Sequence, residues 1–144
     1  MKKEQSLYTI FIGYLTKKGN KIQAKRILDS TFFELSKKFT LPLSVILHKI
    51  LKSMGSNVEV KTIKMRKNTH VVPFPINKTR RNYLLVKKIM DSVKEDTTNR
   101  PVTNKLIDEL AGILLLNKSN KSLQKNKSDL KQAILNKSNT HFRW

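Results

Sequence analysis

Val58-Glu59-Val60-Lys61-Thr62-Ile63-Lys64-Met65-Arg66-Lys67-Asn68-Thr69-His70-Val71-Val72 is where the hydrophobic period of this chain changes. Val58 to Met65 is strand-like and rich in β-branched residues, and so is Thr69 to Val72. Between them lies a cationic turn, Arg66-Lys67-Asn68, in which Asn68 tolerates a left-handed backbone. Pro73 and Pro75 end the second strand and keep it out of the middle of a larger sheet, because proline has no N–H to give to a neighbour. The reading is a β-hairpin over 58–74 with Arg66, Lys67 and Asn68 at its tip. Two strands are marginal on their own, so helices or a partner must steady them. A ribbon with a Lys-Arg tip can enter a groove or lie against a nucleic-acid backbone.

Outward from the hairpin the period is helical on both sides. Leu43, Ile46, Leu47, Ile50, Leu51 and Met54 form one stripe over 42–54, with Leu47 and Ile50 central to the expected core. Pro42 sits in its first turn, where a missing N–H costs nothing, and Gly55 ends it. Ala24, Ile27, Leu28, Thr31 and Leu35 mark a helix over 21–38. Leu7, Ile10, Phe11, Tyr14 and Leu15 mark one over 5–16, and Gly19-Asn20 separates the two. After the hairpin, Val86, Ile89, Met90 and Val93 place a helix over 77–94. Leu106, Ile107, Leu110, Ile113 and Leu114 place another over 100–116, with Pro101 in its first turn. Residues 117–127 are polar and Lys-rich and read as a flexible linker. A last helix over 128–139 carries Leu130, Ala133 and Ile134, with Ser128 as N-cap. The fold class is mainly α: one domain, 1–144, built as a bundle of about six helices with a protruding two-stranded β-hairpin.

Charge narrows the function. Thirty Lys and Arg stand against ten Asp and Glu, a net charge of +20 on 144 residues. A domain this cationic repels itself and calls for a polyanionic partner. The cations gather at turns and on the ribbon. Lys17, Lys18, Lys21, Lys25 and Arg26 surround the first interhelical turn; Lys61, Lys64, Arg66 and Lys67 decorate the hairpin; Arg80 and Arg81 open the following helix, with Lys87 and Lys88 further along. Together they form a surface that can track phosphates. The last residues, His141-Phe142-Arg143-Trp144, put two rings on either side of a planar cation, groups that stack on bases and pair with phosphate.

Other classes of function are poorly served. There is no cysteine, which excludes disulfides, Cys-ligated metals and thiol catalysis. His48, His70 and His141 have no metal-ligand spacing, so no metal or other cofactor is expected. Asp108-Glu109 are adjacent on a helix, point about 100° apart and cannot share one site. There is no Gly-rich phosphate loop, and no enzyme or small-molecule substrate is expected. No apolar run approaches the ~20 residues of a membrane span, and the apolar stripes lack the aromatic anchors of interfacial helices, so no membrane partner is expected. Asn117, Asn120 and Asn126 each begin an Asn-Lys-Ser triplet, but Met1-Lys2-Lys3-Glu4-Gln5 opens no secretory signal, so these are accidents of composition.

Three stretches resemble one family. Val58-Glu59-Val60-Lys61 through Val72-Pro73 to Arg80-Arg81-Asn82-Tyr83-Leu84 resembles the V-E-V-K … V-P … R-R-N-x-L run of the small-subunit ribosomal protein S-seven family. Asn136-Lys137 … His141-Phe142-Arg143-Trp144 resembles its N-K-x-x-x-H-[YF]-R-W terminus. Gly19-Asn20-Lys21 with Ala24 and Ile27 resembles its first turn, and Leu106-Ile107-Asp108-Glu109-Leu110 its L-x-x-E-L. Several family features differ: the Gly-Gly of the ribbon turn is Arg66-Lys67 here, the aromatic after it is His70, the Pro ahead of the first strand is Ser56, and the basic N-terminal arm is short.

The resemblance implies a structural protein that binds the 3′ major domain of small-subunit rRNA and nucleates assembly of the subunit head. Lys17, Lys18, Lys21, Lys25, Lys61, Lys64, Arg80, Arg81, Lys87, His141, Arg143 and Trp144 become the candidate rRNA contacts. Arg66, Lys67 and Asn68 become a tip near exit-site tRNA and the mRNA path. Head and platform ribosomal proteins become the expected neighbours. Heavy use of Lys, Asn and Ile, as AT-rich coding favours, and a short chain without the family's C-terminal tail suggest a mitochondrially encoded member; a plastid or bacterial cytoplasmic source is the alternative. The competing function is a free DNA- or RNA-binding nucleoid or regulatory protein.

Overall fold

Apolar stripes at helical spacing make six helices and fold them onto one another. The computed structural model describes residues 7–143. The helices are α1 (Leu7–Leu15), α2 (Lys21–Phe39), α3 (Leu43–Met54), α4 (Lys78–Lys94), α5 (Val102–Leu114) and α6 (Lys121–Leu135), and a 3-10 segment, Lys137–Arg143, follows. Between α3 and α4 stand β1 (Val58–Met65) and β2 (Asn68–Pro75), paired antiparallel. This is the mainly-α bundle with a hairpin that the periodicity implies.

The core is one cluster to which every helix contributes. Leu28 and Leu35 of α2, Ile46 and Ile50 of α3, Leu85 and Ile89 of α4, and Leu106, Leu110 and Ile113 of α5 are fully buried in it. Phe11 of α1 meets Phe32 edge to face at 6.2 Å. Pro42 and Pro101 are N-caps with extended backbone, one residue ahead of the first turns expected to hold them. The Gly55 amide closes α3 by donating to the Leu51 carbonyl. Leu47 is only half-buried, at the margin of the stripe whose centre is Ile50.

The flexible linker expected over 117–127 is corrected by the structure. Residues 117–120 form a turn, and α6 starts at Lys121 rather than 128. Its N-cap is Asn120, not Ser128: the Asn120 side chain accepts from the Leu123 amide at 3.1 Å. The same side chain donates to the Glu109 carbonyl at 3.0 Å. It fits because Gly112 has no Cβ; one there would lie 2.6 Å from the Asn120 amide nitrogen. The Ser122 amide and hydroxyl both donate to the Glu109 carboxylate. Asn120, Ser122, Leu123 and Asn126 are all buried. Polar residues that look solvated in sequence are here satisfied by tertiary partners, which is what lets them be buried. At the other end, α6 stops at Leu135, and the remainder of the expected helix over 128–139 tightens into the 3-10 segment.

The hairpin is held at its edge and its base. Pro73 pairs with Val60 and Pro75 with Val58. Proline has no N–H, so these are the pairs whose backbone groups point away from the partner strand. Two residues back, Val71 points the same way. The outer edge of β2 therefore exposes the carbonyls of Val71 and Pro73. The C-terminal segment takes both: Asn139 Nδ2 donates to Val71 O at 3.1 Å and Arg143 Nε to Pro73 O at 2.8 Å. Phe142 stacks on His70 with ring centroids 4.2 Å apart, and Val72 is fully buried. At the tip the left-handed residue is Arg66, with φ of 53°, not Asn68. Asn68 instead pairs with Met65 as the first residue of β2. A two-residue hairpin turn needs its positive φ inside the turn, where the backbone twist matches that of the strands.

Ile50→Ala is expected to cost about 2–4 kcal/mol, and Leu47→Ala clearly less because half its surface cost is already unpaid by burial. Reversible denaturant melts of both variants check this; equal losses would contradict the placement of the stripe. Asn139→Ala and Arg143→Ala should each remove about 0.5–1.5 kcal/mol of local stability. The loss should appear as faster amide exchange in β1 and β2, with the α2–α3 core unchanged.

Candidate nucleic-acid interface

The distribution of carboxylates sets the electrostatics. Between Glu34 and Asp91 the chain has thirteen Lys and Arg and a single acid, Glu59. That stretch is the end of α2, all of α3, the hairpin and most of α4. Six of the ten acids lie between Asp91 and Asp129, on the far half of the sequence. There they pair with cations: Glu95 with Lys125 at 2.7 Å, Asp108 with Arg100 at 2.9 Å and Asp129 with Lys88 at 2.6 Å. Of the thirteen cations of the acid-poor stretch, Lys61 and Arg80 pair with Glu59 and Lys88 with Asp129; the others have no carboxylate partner among the described residues.

Each candidate residue has a definite placement. Lys17, Lys18, Lys21 and Lys25 are exposed around the α1–α2 turn, where Lys18 (φ 50°) and Gly19 (φ 78°) are left-handed. Lys64, Arg66, Lys67 and Asn68 are exposed along the outer hairpin. Among the described residues no carboxylate lies within ion-pairing distance of these lysines or of Arg66. Lys61 is exposed, 3.9 Å from Glu59 and over the Phe74 ring. Lys87 is exposed at the rim of a cleft of about 360 Å³ between the hairpin base, α4 and α6.

Adjacent arginines take opposite roles. Arg80 is half-exposed and reaches β1, where its Nη2 and Nε donate to the two Glu59 oxygens at 2.7 and 3.1 Å. That double hydrogen bond holds the Glu59 carboxyl below its usual range and raises the Arg80 guanidinium further. Arg80 also lies over the Tyr83 ring, at 5.3 Å. Arg81 turns inward. Its Nη2 lies 3.5 Å from the Leu51 carbonyl, and its Nε is buried without a hydrogen-bond partner. It packs on Gly55, where a Cβ would come within 2.2 Å of the guanidinium. A cation at the C-terminal end of α3 complements the helix dipole.

The two basic clusters are joined by aromatic rings. Tyr83 lies against Tyr14, centroids 5.5 Å apart. Burial and a hydrogen bond between the two phenols push the Tyr14 pKa upward, so it stays a protonated donor. Tyr14 lies in the last turn of α1, three residues before Lys17. A continuous path thus runs from the α1–α2 turn through Tyr14, Tyr83 and Arg80 to the hairpin. Sequence reading missed this link because the rings lie on separate helices; only their residue types were visible.

The terminal group is engaged internally. His141 Nδ1 is 2.7 Å from the Ser138 carbonyl, and its ring lies 4.0 Å from Phe142. Arg143 gives its Nε to Pro73, as described above. Trp144 lies outside the described residues. His70, Phe142 and Asn139, none of them a candidate from sequence, prove to be parts of the same clasp. The signal for them was the pair of prolines at alternate positions of β2, which leaves that edge with few donors.

Comparison with known sequences fits this geometry. Residues 1–137 match the sequence profile described as Ribosomal protein S7p/S5e. The chain is 27% identical over 134 residues to the small ribosomal subunit protein uS7m of Reclinomonas americana, covering 93% of this chain and 82% of that one. It is 26% identical over 138 residues to uS7 of Rhodobacter capsulatus, covering 94% and 85%. It is 29% identical over 138 residues to uS7 of Rhodopirellula baltica, covering 93% and 85%. With nearly its whole length matched by the profile, the chain belongs to the ribosomal protein S7p/S5e family, a structural and non-enzymatic class.

Proposed function

We propose that this chain is a structural constituent of the small ribosomal subunit, that it binds the 3′ major (head) domain of the rRNA, and that it nucleates head assembly. The observation that carries this reading is the set of exposed lysines with no carboxylate partner among the described residues, Lys17, Lys18, Lys21 and Lys25 at the α1–α2 turn and Lys64 on the hairpin, with Tyr14, Tyr83 and Arg80 lying between the two clusters. Exposed lysines on a helical body suit phosphates, which position an RNA without reading its sequence. The His141 ring stands at the outer end of the His70–Phe142 stack along the edge of β2, where an unpaired base could extend the stack. The exposed tip, Arg66-Lys67-Asn68, lies beyond this face and suits a ligand that comes and goes, namely exit-site tRNA and mRNA.

Head and platform proteins of the same subunit are the protein neighbours in this reading. We place the chain in a mitochondrial ribosome. The Lys-, Asn- and Ile-rich composition and the Reclinomonas relative support that placement, while the bacterial relatives are as similar in sequence. A free nucleic-acid-binding module is the competing reading, and co-sedimentation with ribosomal subunits at moderate salt separates the two.

Affinity for a head-domain rRNA fragment should fall with salt at a log–log slope of about −4 or steeper, since several clusters release counterions together. A slope near zero in a filter-binding titration would sink the electrostatic account. Changing Lys17 and Lys21 to Gln should make the slope shallower by about one for each lysine. Changing Arg66 and Lys67 to Gly should leave rRNA affinity nearly intact and shift exit-site tRNA retention in assembled ribosomes. Truncation after Phe142 should weaken rRNA binding more than the tip variant does; the reverse order would exchange the roles assigned to terminus and tip.

A further inference from the structure

Glu59 is an anomaly on a face meant for a polyanion. It is the only carboxylate between Glu34 and Asp91, it stands on the first strand of the hairpin, and its charge repels phosphate. Its side chain is 15% exposed, and both its oxygens are taken by Arg80. A guanidinium has five N–H groups on a rigid fork. Glu59 uses the side edge, Nε and one hydrogen of Nη2. The end edge, formed by Nη1 and the other hydrogen of Nη2, has no partner among the described residues. The Tyr83 ring lies 5.3 Å from the guanidinium carbon and Tyr14 packs against Tyr83, so the fork is backed by a ring pair as well as held by Glu59. Arg80 remains 47% exposed.

Resting on the rRNA-binding reading above, we infer that Glu59 is a positioning residue: it grips one edge of Arg80 so that the other edge is presented, already oriented, to a single RNA phosphodiester. A planar fork matches two phosphate oxygens at once and loses less conformational freedom on binding when it is already held. The cost of one negative charge on the basic face is outweighed by that preorganisation. The same grip ties β1 to the start of α4, so the phosphate, the hairpin and the helix are set in one frame.

The inference reverses the sign that charge alone dictates. Binding of the full chain to the head-domain rRNA fragment is measured at fixed salt for Glu59→Gln, Glu59→Asp, Arg80→Ala and the Glu59→Gln/Arg80→Ala pair. Glu59→Gln, which removes a repulsive charge, should nonetheless weaken binding by about three- to tenfold. Glu59→Asp keeps the charge and shortens the arm, and should weaken binding too. In the Arg80→Ala background the effect of Glu59→Gln should vanish or turn into tighter binding. Arg80→Lys, with charge retained, should resemble Arg80→Ala more than the parent. Tighter binding by Glu59→Gln in the parent overturns the inference. So does an equal loss in both backgrounds, which would mean that Glu59 acts independently of Arg80. If the parent itself does not bind the fragment, the rRNA-binding reading fails and the inference falls with it; if the parent binds and Glu59→Gln leaves affinity unchanged, only the inference fails.

Discussion

A two-stranded ribbon has two open edges and no second layer, so what this protein extends toward a ligand depends on how the ribbon is held at its root. Strand pairing alone leaves such a hairpin marginal. Here three constraints act together. Glu59 ties β1 to Arg80 at the start of α4. Asn139 and Arg143 occupy the carbonyls that β2 turns outward. Phe142 covers the strand by stacking on His70. The prolines make the second constraint natural: an edge with carbonyls but few donors cannot recruit another strand by ladder pairing, yet it can accept from side chains. The edge is closed against aggregation and opened to the chain's own terminus by the same substitution of Pro for a donor.

The second constraint is self-repulsion. A net charge of +20 opposes a compact state. The chain answers by separation rather than neutralisation. Its acids gather along the end of α4, α5 and α6, where they brace helices through Lys125, Arg100 and Lys88. Among the described residues, the lysines of the α1–α2 turn and Lys64, Arg66 and Lys67 of the ribbon have no carboxylate partner, and solvent and salt screen them over about 10 Å at 0.1 M ionic strength. The arrangement is tolerable in isolation and strongly favourable once phosphates replace the counterions.

Sequence made the helices legible wherever burial is apolar, because Ile46, Ile50 and their counterparts recur at the spacing of one helix face. It failed for the first turns of α6 for a physical reason. Asn120, Ser122 and Asn126 are buried by satisfying hydrogen bonds to Glu109 and Lys88, and no hydrophobic period records that. The hairpin was legible in its first strand. The second runs through Pro73 to Pro75 instead of ending at Val72, because the prolines sit at positions that need no N–H. The turn differs too, with Arg66 in the left-handed conformation that Asn68 was better suited to. Of the candidate site, the lysines at turns and on the ribbon are exposed, as a contact needs. Arg81 and Arg143 are partly committed inside the molecule. Residue type cannot separate these roles, because a guanidinium serves a backbone carbonyl as readily as a phosphate.

That ambiguity points to a division of labour between the two basic residue types. Of thirty cations only six are arginines: Arg26, Arg66, Arg80, Arg81, Arg100 and Arg143. Four of them hold named internal partners, namely Glu59, the Leu51 carbonyl, Asp108 and the Pro73 carbonyl. Each of those contacts ties together parts of the chain that adjoin in space. A rigid fork with five donors is suited to such joints, whereas an ammonium on a flexible stem is not. The lysines do the converse work. Spread over turns and ribbon, they would, in the proposed rRNA contact, make a field that suits a phosphate backbone without demanding a geometry, with a small entropy loss because no single contact is fixed. Arg80 is where the two tasks meet, with one edge bound to the protein and one left open. The proposed interface is thus a diffuse lysine field registered at one arginine that Glu59 holds by one edge.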